Sequence, residues 1–358
     1  MLEARAALKN LHAYRPPLAG RVGLRLDFNE STIGCSPRVL AKIRRLNGEE
    51  LARYPEREPV ERKVADFLGL NAEQVLLTNG VDEAIHLLCA TYLDPGDEVI
   101  IVVPTFAMYA IFAQVGGACI IPVLADDNFT FPVKELLSQI SLRTRLIAVA
   151  NPNNPTGTAV AREFLLQIGQ AAPQAAVLVD EAYFEFHGET MLSCVEWPAN
   201  LFVARTFSKA YGLAGLRIGT LAGNGGQMAM VRRVASPYNV NAVALAALPE
   251  ALADQEYVAQ YVAEVKRSRD FLEQELTSLG LHHWPSRGNF VLVRIGSAYA
   301  EFIHALRARG ILVRDRNSDP GCGGCVRLTV GSIEHTQTLI NAVRDVIAQI
   351  EDGREVRA

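Results

Sequence analysis

One lysine, one serine and one arginine lie close together in residues 205–219, which read RTFSKAYGLAGLRIG. The chain has only six lysines against 29 arginines, and Lys209 follows the apolar segment Asn200–Arg205 and adjoins Ser208. Arg217 comes after two glycines, and glycine lets other groups approach the backbone closely. The combination predicts an amine that links covalently to a carbonyl compound, beside a hydroxyl and a guanidinium that hold an anion.

Polar residues also lie beside the ends of four further apolar segments that read as buried strands. The segments are Gln74–Thr78, Glu98–Val103, Leu146–Ala150 and Ala176–Asp180. The first segment is followed by a turn with Gly80, Val81 and Asp82, and the second by Tyr109. The third is followed by a turn with Asn154, and the fourth ends at Asp180 and is followed by Tyr183. Ligands bind at the carboxyl ends of the strands in open parallel sheets, so we expect these residues to share a pocket.

Each of these features has an ordinary explanation when it is taken alone. The turn at Gly80 is also explained as a strand-to-helix turn capped by Asp82, and Tyr109 as a core aromatic. Asp180 is also explained as half of a structural ion pair, because an isolated buried carboxylate is costly. Together the features favour pyridoxal phosphate. Its aldehyde reacts with a lysine, its ring nitrogen needs a carboxylate, and its phosphate needs helix-start amides, a hydroxyl and an arginine.

Helical patterns separate the strand-like segments, as at Asp82–Tyr92 and Ala159–Ala171. This alternation predicts an α/β fold with a mainly parallel sheet that helices cover on both faces. Near Leu248 the pattern changes to a long charged helix, Tyr257–Leu279, followed by strand-like residues 289–295 and 326–330. We therefore predict a large domain at residues 29–250 and a smaller α+β domain at 251–358. Residues 1–28 are predicted to form an arm that packs on the smaller domain.

Composition narrows the classes of partner. The net charge is −4 and there is no long basic run, which argues against nucleic acid. No apolar stretch approaches the roughly 18–20 residues of a membrane span, and the first 17 residues lack the pattern of a signal peptide, so we expect a cytoplasmic protein. Cys322 and Cys325 form a CGGC motif that predicts either ordinary loop thiols or a redox pair, and no metal site is expected.

The spaced motifs NPNNPTG (151–157), DEAY (180–183) and SKAYGLAGLRIG (208–219) resemble those of the fold type I, aminotransferase class I/II family of pyridoxal-phosphate enzymes. The resemblance extends from about Asn29 to Val330. It implies a large domain with a mainly parallel seven-stranded sheet and a smaller α+β domain. RYPE with Tyr54, PTFAMY, GILVRDR and GCVRLTVG further resemble the histidinol-phosphate aminotransferase branch of this family.

The resemblance implies a role for each matched position near the cofactor. Lys209 would hold the cofactor and shuttle the substrate's α-proton, Asp180 would pair with the ring nitrogen, and Tyr109 would stack on the ring. Tyr183 and Asn154 would hydrogen-bond the ring hydroxyl oxygen. The implied phosphate contacts come from Gly80, Val81, Asp82, Ser208 and Arg217, together with Tyr54 from the neighbouring subunit of an obligate homodimer.

The same resemblance implies the substrate contacts. Arg327 would hold a substrate carboxylate, Arg314 would join it on a substrate phosphate, and Tyr14 and Asn29 would border the substrate. A surface ion pair of Arg314 with Asp315 or Asp319 is the alternative for that residue. Two features depart from the family pattern: Val81 replaces a more common serine or alanine, and Ser-Thr follows Asn29–Glu30 where the family has Pro-Tyr nearby.

The implied reaction is transamination between L-glutamate and imidazole-acetol phosphate, giving L-histidinol phosphate and 2-oxoglutarate in histidine biosynthesis. An aromatic amino-acid aminotransferase and a threonine-phosphate decarboxylase of the same fold remain as alternatives. A cofactor-binding regulator on this fold is a further alternative, which we do not favour because it needs a DNA-binding module.

Overall fold

The computed structural model describes residues 2–9, 11 and 13–355. The helices in these residues are α1 (Pro37–Arg44), α2 (Gly48–Ala52), α3 (Glu58–Leu68), α4 (Gly80–Tyr92), α5 (Met108–Gly116), α6 (Val133–Ser138), α7 (Arg162–Ala171), α8 (Phe184–His187), α9 (Gly225–Val234), α10 (Ala242–Ala253), α11 (Gln255–Ser278), α12 (Tyr299–Ala308) and α13 (Ile333–Glu355). The strands are β1 (Leu24–Leu26), β2 (Val75–Thr78), β3 (Glu98–Val103), β4 (Cys119–Leu124), β5 (Thr144–Ala150), β6 (Ala176–Asp180), β7 (Leu201–Thr206), β8 (Gly219–Gly223), β9 (His283–Trp284), β10 (Phe290–Arg294), β11 (Ile311–Asp315) and β12 (Cys325–Thr329).

Seven strands form a sheet in the order β2-β8-β7-β6-β5-β3-β4. All pairs are parallel except those of β8, which runs antiparallel to β2 and β7. Strands β6 and β7 are buried along their whole length, and their side chains are apolar on both faces except at the carboxyl ends, where Asp180, Arg205 and Thr206 lie. The predicted α/β fold with a mainly parallel seven-stranded sheet is confirmed.

The bounds of β3 and β6 agree with the sequence prediction, whereas β4 and β8 were not predicted. Strand β4 is half exposed and contains Pro122, and β8 reads GTLAG, so neither carries a strong strand pattern. The predicted start of α4 at Asp82 was wrong. The helix begins at Gly80 with Asn79 as its N-cap, and the Glu83 carboxylate accepts a hydrogen bond from the Asn79 amide.

The second sheet has five strands in the order β1-β11-β12-β10-β9. Strand β1 pairs in parallel with β11, and the remaining pairs are antiparallel. A segment near the amino terminus thus completes a sheet whose other strands come from the last 76 residues of the chain, 283–358. We propose on this basis that residues 1–28 are an arm of the smaller domain 251–358, with the large domain at 29–250.

The register of the second sheet brings two arginines together. Arg314 of β11 lies directly opposite Arg327 of β12. Residues opposite each other on neighbouring strands project from the same face, and like charges in that position are destabilising unless something compensates them. In the part of the chain described here, no helix has both the length and the apolar character needed to cross a membrane.

Candidate active site

A cavity of about 460 Å³ lies between the carboxyl ends of the central strands of the large sheet and strands β11 and β12. Twelve of the predicted site residues line it: Tyr14, Val81, Asp82, Tyr109, Asn154, Asp180, Tyr183, Ser208, Lys209, Arg217, Arg314 and Arg327. Gly80, Asn29 and Tyr54 are not among the lining residues. The sequence-based grouping therefore corresponds to one place in the structure.

Lys209 lies just after β7, where the chain leaves the sheet. Its Nζ donates a hydrogen bond to the carbonyl oxygen of Phe28 at 2.9 Å and lies 5.9 Å from the centre of the Tyr183 ring. Burial, with a further contribution from the Arg327 cation, lowers the pKa of Lys209 to about 8. About a tenth of this amine is therefore uncharged at pH 7, far more than for a lysine with the ordinary pKa, and the uncharged form is the nucleophile.

Asp180 ends β6, and its carboxylate is fixed by two protein donors. The Tyr109 hydroxyl donates to Oδ2 at 2.6 Å, and the Ala182 amide donates to Oδ1 at 3.0 Å. Burial raises the pKa of Asp180 to about 6, and these two hydrogen bonds oppose the rise. The structural ion pair considered for Asp180 does not form, because its hydrogen-bond partners are a neutral hydroxyl and a backbone amide.

Tyr183 and Asn154 face the cavity from two different turns. The Asn29 amide donates to the Tyr183 hydroxyl at 2.9 Å, and the Asn154 side-chain oxygen accepts from Arg327 at 2.5 Å. Asn29 is itself fully buried behind the wall, where it also bonds to Thr329. In the structure Asn29 orients Tyr183, and the direct substrate contact predicted for it remains a prediction.

An anion cradle is present where α4 begins. The first amides of a helix have no partner within the helix, and here Val81 and Asp82 line the same cavity as Ser208 and Arg217. Gly80 has φ +74°, and a Cβ at this position would lie 2.6 Å from the Arg217 guanidinium. The positive φ favours glycine at this position, and the absence of a Cβ leaves room for the Arg217 guanidinium, whose Nη2 lies 3.0 Å from the Asp82 carboxylate.

The opposite end of the cavity is rich in guanidinium groups. Arg314 donates to the Tyr14 hydroxyl at 3.0 Å and stacks over Phe28, with 5.1 Å from its central carbon to the ring centre. Arg327 donates to the Asp27 carbonyl at 2.7 Å, and burial together with neighbouring arginines lowers its pKa to about 10. The predicted alternative, a surface ion pair of Arg314, was wrong, because Asp319 pairs with Arg316 instead.

Sequence reasoning missed several lining residues, among them Phe28, Glu30, Thr206, Arg316 and Asp319. Thr206 donates to Ser208 at 2.9 Å and completes the hydroxyl pair at the cradle. The signal for Arg316 was present in the motif GILVRDR, where a second arginine follows Arg314 by two residues and so projects from the same side of an extended chain. We call Tyr109, Asp180, Ser208 and Lys209 the sheet end of the cavity, and Arg314, Arg316 and Arg327 its arginine end.

Tyr54 lies away from this cavity. Its side chain is 78% exposed and stacks on Tyr238 with 4.4 Å between ring centres. Cys322 and Cys325 are fully buried and unbridged, packed with Phe129 and Trp284. Among the described residues, no cluster of three or more histidine, cysteine or acidic side chains is placed to hold a metal ion.

The residues present fit pyridoxal phosphate. The sheet end offers an amine with a lowered pKa, at Lys209, and a buried carboxylate, at Asp180. The anion cradle at the start of α4 offers a phosphate the helix-start amides, the hydroxyls of Thr206 and Ser208, and the Arg217 cation. Amine, carboxylate and phosphate site all line the same cavity, as a single cofactor would require.

Known proteins agree with this assignment. The family model for aminotransferase class I and II matches residues 22–343. The histidinol-phosphate aminotransferase of Thermoanaerobacter pseudethanolicus is 33% identical over 329 residues, which cover 90% of this chain and 93% of that protein. The corresponding protein of Caldanaerobacter subterraneus subsp. tengcongensis is 35% identical over 330 residues, with the same coverage.

A solved structure is similar over nearly the whole chain. It is the histidinol-phosphate aminotransferase of Sinorhizobium meliloti in complex with pyridoxal-5'-phosphate, with a TM-score of 0.89 and 25% identity over 98% of this chain and 99% of that one. This chain therefore belongs to the aminotransferase class I and II family. The resemblance inferred from the sequence motifs is confirmed, and with it the prediction of a transaminase.

Proposed function

We propose that this protein is a pyridoxal-phosphate-dependent transaminase that interconverts L-histidinol phosphate and 2-oxoglutarate with imidazole-acetol phosphate and L-glutamate. The observation that carries the proposal is a single cavity lined by Lys209 and Asp180 from the seven-stranded sheet and by Arg314 and Arg327 from the five-stranded sheet. The names of the relatives support the same substrate, since the two similar proteins named above are histidinol-phosphate aminotransferases.

The residues of the sheet end suit amino transfer. The bound cofactor supplies a ring that accepts electrons from the substrate's α-carbon. Asp180 holds a negative charge where the ring nitrogen would lie and so favours its protonated form. Once a substrate amine has taken its place on the cofactor, the Lys209 amine would be free to remove the substrate's α-proton and to donate it to a different carbon atom. One group would then serve as both general base and general acid. Tyr109 keeps the Asp180 carboxylate oriented through its 2.6 Å hydrogen bond.

The arginine end suits two different anionic substrates. A phosphate monoester carries about −1.5 to −2 charges at neutral pH, and glutamate carries two carboxylates. Arg314 and Arg327 lie on neighbouring strands, directly opposite each other, so one anion can contact both guanidinium groups. Paired charge-assisted hydrogen bonds of this kind recognise both carboxylate and phosphate.

We also propose a homodimer with shared active sites in the cytoplasm. Tyr54 is an exposed aromatic at the end of a short helical segment, outside its own cavity, and it is available to reach the cofactor phosphate of a second subunit. Sedimentation of the active enzyme at the mass of two chains is the expected result, and an active monomer would exclude this arrangement.

The direct test of the proposed reaction is a half-reaction screen of the holoenzyme. L-glutamate and L-histidinol phosphate should each convert the cofactor to its amino form, as read from the visible spectrum, and imidazole-acetol phosphate should restore the starting spectrum. Faster conversion by phenylalanine or tyrosine than by histidinol phosphate would identify an aromatic aminotransferase. Release of carbon dioxide from threonine phosphate would identify a decarboxylase.

A further inference from the structure

A third guanidinium lies at the arginine end of the cavity and was not assigned a role by the family motifs. Arg316 follows β11, and its backbone amide donates to the Cys325 carbonyl at 3.1 Å, which ties it to β12. Its side chain is 14% exposed and forms an ion pair with Asp319, which is 23% exposed. Both residues line the same cavity as Arg314 and Arg327.

The turn that carries Arg316 and Asp319 is held firmly in place. The Asp319 amide donates to the Arg316 carbonyl at 3.0 Å, and the Cys322 amide donates to the Asp319 carbonyl at 2.9 Å. The Asn317 side chain accepts from the Gly324 amide at 2.8 Å. These hydrogen bonds fix the backbone of the turn from which the Arg316 side chain extends toward the cavity.

Each of the three guanidinium groups has one buried nitrogen that makes no hydrogen bond to any residue the structure describes. These donors are Nη1 of Arg314, Nε of Arg316 and Nε of Arg327. A buried donor that lacks an acceptor is costly, so three around one cavity indicate a site built for an anion with several acceptor oxygens. A phosphate monoester offers three such oxygens, whereas a carboxylate offers two.

The charge balance depends on Arg316. The cavity wall here holds three arginines and two carboxylates, Asp315 and Asp319, which gives a net charge of +1. Without Arg316 the two carboxylates would formally cancel Arg314 and Arg327. Three further acids line the cavity and are left out of this count, because each has its own partner: Glu30 pairs with Arg21 at 2.7 Å, Asp82 pairs with Arg217, and Asp180 accepts from Tyr109.

We infer, on the basis of the proposed function, that Arg316 is a specificity-determining residue that binds the substrate's phosphate, with Asp319 as the counter-ion that the phosphate displaces. Arg316 then favours a phosphate ester over the same molecule without its phosphate. Asp319 pairs with the guanidinium when no anion is bound and competes with the incoming phosphate. Removal of the Arg316 charge should therefore lower the preference for a phosphorylated substrate, and removal of the Asp319 charge should raise it.

The experiment compares L-histidinol phosphate with L-histidinol in the half-reaction, for the unmodified holoenzyme and three variants. Arg316→Gln should lower the preference for the phosphorylated compound about tenfold, near the lower end of the effect expected for a hydrogen bond to a charged group. Asp319→Asn should raise the preference, because the competing carboxylate charge is removed. Arg307→Gln is the matched control: it makes the same change at an exposed position of helix α12, outside the cavity, and should leave the preference for the phosphorylated compound unchanged.

A second measurement separates this inference from the proposed function. Inorganic phosphate should inhibit the glutamate half-reaction of the holoenzyme, with an inhibition constant about tenfold higher in Arg316→Gln and unaltered in Arg307→Gln. If phosphate inhibits Arg316→Gln more weakly than the unmodified enzyme, but the unmodified enzyme does not prefer histidinol phosphate to histidinol, the proposed substrate is wrong and the anion site stands. Equal inhibition in all variants, or equal losses in Arg316→Gln and Asp319→Asn, would make the pair a purely structural ion pair and overturn the inference.

Discussion

The two ends of the cavity differ in how completely the protein satisfies their polar groups. At the sheet end, Asp180 accepts from Tyr109 and Ala182, and Lys209 donates to the Phe28 carbonyl. At the arginine end, three guanidinium groups line the same cavity, and each has a buried nitrogen with no acceptor among the residues that the structure describes. The sheet end is thus organised before any ligand binds, whereas the arginine end is completed only by an anion.

This difference follows from the elements that form each end. The sheet end is built at the carboxyl ends of neighbouring parallel strands, and its Tyr109–Asp180 hydrogen bond joins two residues of the part of the chain that forms the large sheet. The arginine end combines β11 and β12 with a segment near the amino terminus, as in the hydrogen bond between Arg314 and Tyr14, 300 residues apart. We therefore expect substitutions at the sheet end to impair every substrate, and substitutions at the arginine end to discriminate between substrates.

The largest effect is expected for Lys209→Ala. Loss of this amine removes both the covalent attachment of the cofactor and the proton transfer, and general acid–base catalysis alone contributes about 10²–10⁴-fold. Steady-state turnover with every substrate should fall by about 10⁴-fold or more. Lys134→Ala, which removes an exposed lysine of α6, is the control and should keep full activity. Substantial turnover by Lys209→Ala would remove Lys209 from the chemistry.

Asp180→Asn should leave the cofactor bound and still reduce turnover by at least about 10²-fold, because a neutral amide does not keep the ring nitrogen protonated. Turnover of glutamate and turnover of histidinol phosphate should fall by the same factor. Tyr109→Phe removes one hydrogen bond to Asp180 and leaves the charge in place, so its loss should be smaller. Near-normal rates for Asp180→Asn would show that the carboxylate is only structural.

Arg314→Gln tests the opposite end. A charge-assisted contact is worth roughly 1.5–3 kcal/mol, so kcat/KM for histidinol phosphate should fall by about 10- to 150-fold, with a much smaller loss for glutamate. The expected difference arises because the phosphate carries more charge than a single carboxylate. Equal losses for the two substrates would assign Arg314 a general structural role and would remove the distinction between the two ends.

The smallest effect concerns the pH dependence of cofactor capture by the apoenzyme. Only the uncharged Lys209 amine attacks the cofactor aldehyde, and its pKa is lowered to about 8. Raising the pH increases the uncharged fraction, so the rate of capture should rise about tenfold from pH 7 to pH 9 and then level off. A rate that still increases tenfold per pH unit above pH 9 would indicate an ordinary lysine.

Much of the sheet end could be predicted from the sequence, because each of its residues adjoins a short, strongly apolar strand. Lys209 after β7 and Asp180 at the end of β6 are examples. The N-cap of α4 was misplaced because Asn79 and Asp82 are both common capping residues, and the local sequence does not decide between them.

The arginine end was only partly predictable. Strand register decides that Arg314 faces Arg327, and local sequence does not specify register between strands so far apart in the chain. Whether Arg316 points into the cavity depends on the turn to Asp319 and on its tie to β12. The contact of Phe28 with both Lys209 and Arg314 joins residues from opposite ends of the chain, and no short motif encodes it.

The most direct test of the central claim is to trap the cofactor on the protein. Borohydride reduction of the purified holoenzyme should fix the cofactor to a single peptide, the one that contains Lys209, and mass spectrometry of a digest would identify it. The other five lysines of the chain serve as internal controls. Labelling of Lys209 alone is the predicted result, and a label on Lys63 or Lys266 would contradict the assignment of this cavity as the active site.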